Sequence, residues 1–147
     1  MTNAPAGDPM PPLCESSPVV MTRPRFDQWL RSYERAWRAA GTDSLAGLFA
    51  PTARYRMSPY DEWVSGLKDI GALWETERDG PDEGFRMTSE AVAVEGDTGL
   101  ARVRVEYDVG ETREFLDLWI VRFDRSGLCV EFEEWPFWPE RPAHSGR

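Results

Sequence analysis

The apolar positions of this chain change period once along its length. From residue 26 to 40, Phe26, Trp29, Leu30, Tyr33, Trp37 and Ala40 fall at i, i+3, i+4, i+7, i+11 and i+14, one continuous stripe on a helix. Arg31, Glu34, Arg35 and Arg38 occupy the opposite side, and Gly41 supplies a stop. Thr42 or Asp43 then caps a short second helix carrying Leu45, Leu48 and Phe49, which Pro51 ends. Residues 53–57 (ARYRM) read as a short strand and Ser58 to Glu62 as a loop. A third helix is predicted over 67–78 with Ile70, Leu73 and Trp74 buried, closed by the turn-rich run DGPDEG.

Beyond residue 84 the period is two. Residues 85–94 alternate weakly and residues 100–109 cleanly, with Ala101, Val103, Val105 and Tyr107 on one face. Arg102, Arg104, Glu106 and Asp108 line the other face, which is expected to be solvated or to meet another subunit. Gly110 or its neighbours turn the chain into FLDLWIVRFDRSGLCVEFEEWPFWP, two strands divided by Asp124-Arg125-Ser126-Gly127. Helices gathered ahead of a meandering sheet predict an α+β fold, with the helices packed on one face of a curved antiparallel sheet.

That last hairpin carries the chemistry. If Phe123 pairs with Leu128, then Val121 meets Val130, Trp119 meets Phe132 and Asp117 meets Glu134, all on one face. A three-residue turn with a Gly bulge would instead slip the pairing by one and separate the acids. Two carboxylates about 5 Å apart at an effective dielectric of about 20 repel by roughly 3 kcal/mol, which raises the pKa of one of them. Such a pair either shares a proton, as a general acid/base site does, or braces the sheet by clamping an Arg such as Arg54 or Arg56. Both readings are open at this level.

Composition narrows the chemistry further. At 147 residues with net charge −9, the chain is one ordinary domain and a poor partner for nucleic acid or anionic lipid. Residues 1–22 are rich in Pro and small polar residues and read as a disordered tail. The domain is placed at 23–139, followed by a flexible tail over 140–147. No apolar run reaches the length of a membrane span and no signal peptide is visible, so a soluble cytoplasmic protein is expected. Cys14 and Cys129 make no disulfide framework. His144 is the sole histidine and sits in the polar C-terminal tail, which disfavours His-based triads and His-ligated zinc. With no phosphate-cradling Gly loop either, no cofactor and no metal are expected, and the chemistry falls to Asp, Glu, Tyr, Ser or Arg.

The run ARYRMSPYDEWVSGLKDIGALW resembles the strand, Pro-aromatic loop, Gly and helix of the nuclear transport factor 2-like superfamily, and WIVRFDRSGLCVEFEEWPFW resembles its terminal hairpin. The likeness covers about residues 25 to 138 and is strongest to SnoaL-like proteins ending in a Glu-Glu-Trp-Pro-aromatic-Trp-Pro run. It implies a cone-shaped fold with three helices on the concave face of the sheet, a cavity between helices and sheet, and a homodimer through the outer sheet face. Set beside the ketosteroid isomerases, Tyr33 matches the oxyanion-hole tyrosine of the first helix. Ser58 stands where their general-base Asp stands, and Trp119 replaces their second oxyanion donor. Steroid isomerisation by that mechanism is therefore not expected. The comparison implies that Tyr33, Ser58, Trp119, Phe132 and Pro136 face the cavity, and strand parity adds Asp117 and Glu134.

Two functions from different classes follow. In one the protein is a cofactor-independent cyclase, isomerase, dehydratase or hydrolase acting on a small apolar molecule. Asp117 and Glu134 would be its acid and base and Tyr33 its hydrogen-bond donor. In the other it is a non-catalytic binder of an apolar ligand, or a homodimeric interaction module. In either case Tyr55, Ser58, Trp74, Trp119 and Phe132 are the candidate ligand contacts, although each of the four aromatics is equally at home in a dry core. Asp61 and Glu62 are expected to be solvated at the rim, and Glu131 and Glu133 to face outward.

Overall fold

The computed structural model describes residues 21–77, 84–109 and 111–139. Cys14, His144, both predicted tails save Met21 and Thr22, Arg78, residues 79–83 of the DGPDEG run and Gly110 lie outside the described residues.

Helix α1, Arg23–Arg38, begins at Thr22, whose Oγ1 accepts the Arg25 N–H at 3.3 Å, with Pro in the first turn where its missing N–H costs nothing. Met21, just before the cap, is buried and donates its N–H to the Gly96 carbonyl. Phe26, Trp29, Leu30, Tyr33 and Ala36 form the buried stripe, and Ala39 leaves the helix in extended conformation. The predicted second helix is a single 3₁₀ turn, Asp43–Gly47, that buries Leu45. Phe49, assigned to that helix by periodicity, instead opens strand β1, Phe49–Arg56, so two α-helices are present among the described residues and not three. Pro51 does not stop this element. It is exposed where the ladder to the neighbouring strand is broken between Phe49 and Arg54, and there its missing donor leaves no hydrogen bond unmade.

A two-residue strand β2, Val64–Ser65, pairs with β1, and Gly66 at φ +90° turns the chain into helix α2, Leu67–Glu77, which buries Ile70, Gly71 and Trp74. Four long strands follow: β3 Phe85–Glu95, β4 Thr98–Val109, β5 Glu111–Phe123 and β6 Cys129–Phe137. They make one curved, open six-stranded sheet in the order β2-β1-β6-β5-β4-β3. The sheet is not wholly antiparallel, because β1 runs parallel to β6. That pairing joins strands separated by most of the domain, beyond the reach of any local pattern.

The core lies between α1, α2 and one sheet face and is largely aromatic. Trp29 meets Phe49, Phe123 and Phe132, and its Nε1 donates to the Leu48 carbonyl at 3.1 Å. Gly99 of β4 admits α1 closely, since a Cβ built there would come within 2.7 Å of Phe26 Cε2. On the opposite sheet face Arg102, Arg104 and Arg86 pair with Glu90, Glu114 and Glu106 in an exposed mesh that adds little stability. No helix among the described residues is long and apolar enough to cross a membrane.

Candidate functional site

The β5–β6 turn departs from the simplest pairing twice. Asp124 donates its N–H to the Leu128 carbonyl while its Oδ1 accepts from Ser126 and Leu128, leaving a three-residue loop with Gly127 at φ +89°. Phe123 consequently pairs with Cys129 and not with Leu128. Val130 is then an extra residue on β6, so the ladder resumes as Arg122–Glu131, Val121–Phe132, Trp119–Glu134 and Asp117–Pro136. Two slips of one residue restore the original parity. Asp117 and Glu134 stay on the same face as diagonal neighbours, not as the directly opposed pair expected from the sequence.

They line one end of a half-open cavity of about 530 Å³ between the sheet and the helices. Its aromatic wall is Trp37 of α1, Tyr55 of β1, Tyr107 of β4, Phe115 of β5 and Trp138. Met57, Val105 and Pro136 add apolar surface, Ser58 a hydroxyl, and Asp61 and Glu77 two further acids. Of the residues singled out in the sequence, Tyr55, Ser58, Asp117, Glu134 and Pro136 border this space. Tyr33, Trp74, Trp119 and Phe132 do not. They are 3%, 1%, 2% and 0% exposed and form the dry layer behind the wall, Tyr33 lying against both Trp119 and Trp74.

Polar contacts run through that layer as a chain. The Trp119 indole donates from Nε1 to Asp117 Oδ2 at 3.1 Å, and the Tyr55 hydroxyl donates to Glu134 Oε1. The Tyr33 hydroxyl adjoins the Tyr55 hydroxyl behind it. Asp117 is 5% exposed, its Oδ1 meets no N–H or O–H donor among the described residues, and the Glu134 carboxyl lies beside the Asp117 carboxyl. One proton shared between the two acids would satisfy both.

Burial is the first cause that raises Glu134 well above the usual carboxylate range, and the adjoining Asp117 charge and hydrogen bond reinforce it against the opposing effect of Tyr55. Burial also raises Asp117, partly offset by hydrogen bonds to Glu134 and Trp119. Tyr55 and Tyr33 are pushed well up by burial first and by Glu134 next, which keeps them neutral donors.

The arginines that sequence reasoning offered as partners for Glu134 go elsewhere. Arg54 pairs with Glu131 and Arg56 with Glu133, and both guanidinium groups lie over the Trp63 ring. Arg122 also holds Glu131, whose pKa is lowered by that contact first. Among the described lining residues there is no Lys, Arg or His, and no described cluster of three or more His, Cys, Asp or Glu could hold a metal ion.

Trp37, Glu77, Tyr107, Phe115 and Trp138 were not singled out as site residues. Signals for three of them existed: Trp37 follows Tyr33 by four on the α1 stripe, Tyr107 shares the face of Val103 and Val105, and Phe115 that of Asp117. Asp61, discounted as a solvated loop acid, is exposed and also borders the cavity.

The architecture has known counterparts. A protein of Jannaschia sp. CCS1 assigned by likeness to the SnoaL-like polyketide cyclases superposes with a TM-score of 0.65 at 19% identity, over 82% of this chain and 88% of that one. An LEH-like epoxide hydrolase of Mycobacterium tuberculosis matches at TM-score 0.55 and 13% identity, over 76% and 84% of the two chains. A cystatin-like fold protein of unknown function from Methylobium petroleophilum PM1 matches at 0.63 and 17%, over 86% and 84%. At these identities the likeness is one of fold. No curated protein matches the chain. The SnoaL-like domain pattern itself runs from residue 29 to 132, from the middle of α1 to Phe132 on β6, and on that match the chain belongs to the SnoaL-like domain family.

Proposed function

We propose that this chain is a cofactor-independent acid/base enzyme of the cyclase, isomerase, dehydratase or hydrolase kind. A proton would move between Glu134, Asp117 and a small molecule held against the aromatic wall. The observation that carries this reading is the carboxyl pair: Asp117 beside Glu134, at a cavity wall whose described residues include no cation to neutralise either. A carboxyl that keeps its proton near neutrality can give it to a substrate oxygen, while its partner carboxylate takes one from carbon or from water. Tyr55, hydrogen-bonded to Glu134, and Tyr33 behind it act here as positioning residues, and Ser58 offers a hydroxyl to the ligand. Neighbours named for a polyketide cyclase and for an epoxide hydrolase bring both reaction types within the proposal.

The test is incubation of a cell extract with wild type and with Glu134→Gln, followed by mass spectrometry of the extract and of what co-purifies. An enzyme should consume a compound that persists with the variant and stays bound to it. If the same compound co-purifies unchanged with both proteins, the acids only orient a ligand and the chain is a binder.

The macromolecular partner within this proposal is a second copy. Leu116 and Phe137 stand opposite each other on the outer face, where β6 ends beside the middle of β5, and are 50% and 43% exposed. Light scattering should give a dimer for wild type and a monomer for Leu116→Glu, and a monomeric wild type removes the partner.

A further inference from the structure

Of the four acids that line the cavity, Glu134 is treated differently from its neighbours on β6. Along β6, Glu131 is held by Arg54 and Arg122 and Glu133 by Arg56, whereas among the described residues Glu134 meets the Tyr55 hydroxyl and the Asp117 carboxyl and no cation. Asp61, Glu77 and Asp117 complete an acidic lining without a described Lys, Arg or His. Asp117 is the least accessible of them, and its Oδ1 has no donor among the described residues. A buried carboxylate oxygen without a donor is costly unless a proton or a ligand N–H fills the vacancy. Trp37, Tyr55, Tyr107 and Trp138 line the same cavity, and aromatic rings take a cation as well as an apolar body.

We propose that the cavity selects a protonated amine, an ammonium group on an aromatic or otherwise apolar body, with the ammonium seated between Asp117 and Glu134. This rests on the cavity being a small-molecule site and names the class of molecule it takes. In the empty site one proton bridges the two carboxyls. The incoming R–NH₃⁺ brings N–H donors to both, so that proton is no longer needed and leaves to water, and Glu134 and Asp117 are then both ionised against one cation. The other titratable groups facing the pair are Tyr55 of β1, Tyr33 of α1 and Glu77 of α2. The two phenols are held neutral, and Glu77 adds negative charge, so none of them opposes a bound cation.

Titration calorimetry of the full chain with tryptamine, tryptophol and indole-3-acetate tests this, because the three differ chiefly in the charge at one end. Tryptamine should bind at least about 10-fold tighter than tryptophol, and indole-3-acetate weakest. Repeating the tryptamine titration in buffers of different ionisation enthalpy should show a proton released on binding. Glu134→Gln and Asp117→Asn should each lose the tryptamine preference, and a circular dichroism spectrum matching wild type shows that each variant is folded. Comparable binding of all three probes overturns the inference and leaves the acid/base reading standing. So does a preference for the alcohol or the acid, and so does an amine preference that survives in both variants. Failure of all three to bind overturns the inference together with the small-molecule reading. Amine selection by a protein that consumes nothing in a cell extract upholds the inference and removes catalysis.

Discussion

Glu134 stands opposite Trp119 on the β5–β6 ladder and meets Asp117 only on the diagonal. The same Trp119 donates its indole N–H to Asp117, so the residue facing one acid fixes the rotamer of the other. A direct pairing would have put the two charges at the shortest cross-strand distance. The three-residue turn and the bulge at Val130 together move Glu134 to the diagonal, where the Tyr55 hydroxyl of the adjoining β1 reaches it.

That placement has a pH signature. An acid raised in the folded state contributes stability fully below its unfolded value, here 4.5, and loses it as pH climbs toward the folded value. Wild type should therefore lose ground to Glu134→Gln by up to about 1.4 kcal/mol per pH unit above that point, levelling off once the folded-state carboxyl ionises. Urea denaturation of both proteins across the pH range measures the difference. If wild type instead gains on the variant as pH rises, Glu134 is a paired structural carboxylate.

Asp117→Asn removes the second charge but keeps an oxygen for the Trp119 indole. The Glu134 titration, followed by carbon NMR of labelled carboxyls, should move down and yet stay above the ordinary range, because burial outweighs the Asp117 contribution. Asp117→Ala also strips the indole of its acceptor and should cost about 1–3 kcal/mol in denaturant titration.

Tyr55→Phe keeps the core shape and deletes one donor. The Tyr55 hydrogen bond holds the Glu134 pKa down, so its loss should move that titration further up. The variant should be less stable by about 1–3 kcal/mol where Glu134 is ionised, since its carboxylate is then left short of a donor. An unchanged Glu134 titration would mean that the phenol only fills space.

Gly99→Ala probes the helix–sheet contact away from the cavity. The added methyl would lie 2.7 Å from the ring of Phe26, which is 0% exposed and cannot swing aside. Overpacking of this kind costs about 1–3 kcal/mol, visible as a lower Tm. Combining it with Phe26→Leu should return part of the loss, a coupling that unrelated sites would not show.

How much of this was legible in the sequence follows from the range of each interaction. Periodicities of 3.6 and 2 are properties of neighbouring residues, so the α1 stripe, the four long strands and the shared face of Asp117 and Glu134 could be read directly from the chain. Even the double slip at the final turn left that face unchanged, because parity survives any even shift. The 3₁₀ turn was misread as a helix because Leu45, Leu48 and Phe49 suit either form at so short a length. What only the tertiary structure decided are the contacts between distant segments. The parallel pairing of β1 with β6 puts Tyr55 on Glu134 and hands Arg54 and Arg56 to Glu131 and Glu133, and the packing of α1 and α2 leaves Tyr33 and Trp74 in the core but Trp37 and Glu77 at the cavity. Such contacts depend on which loops can close and which faces fit once the chain is compact, and no local spacing encodes that.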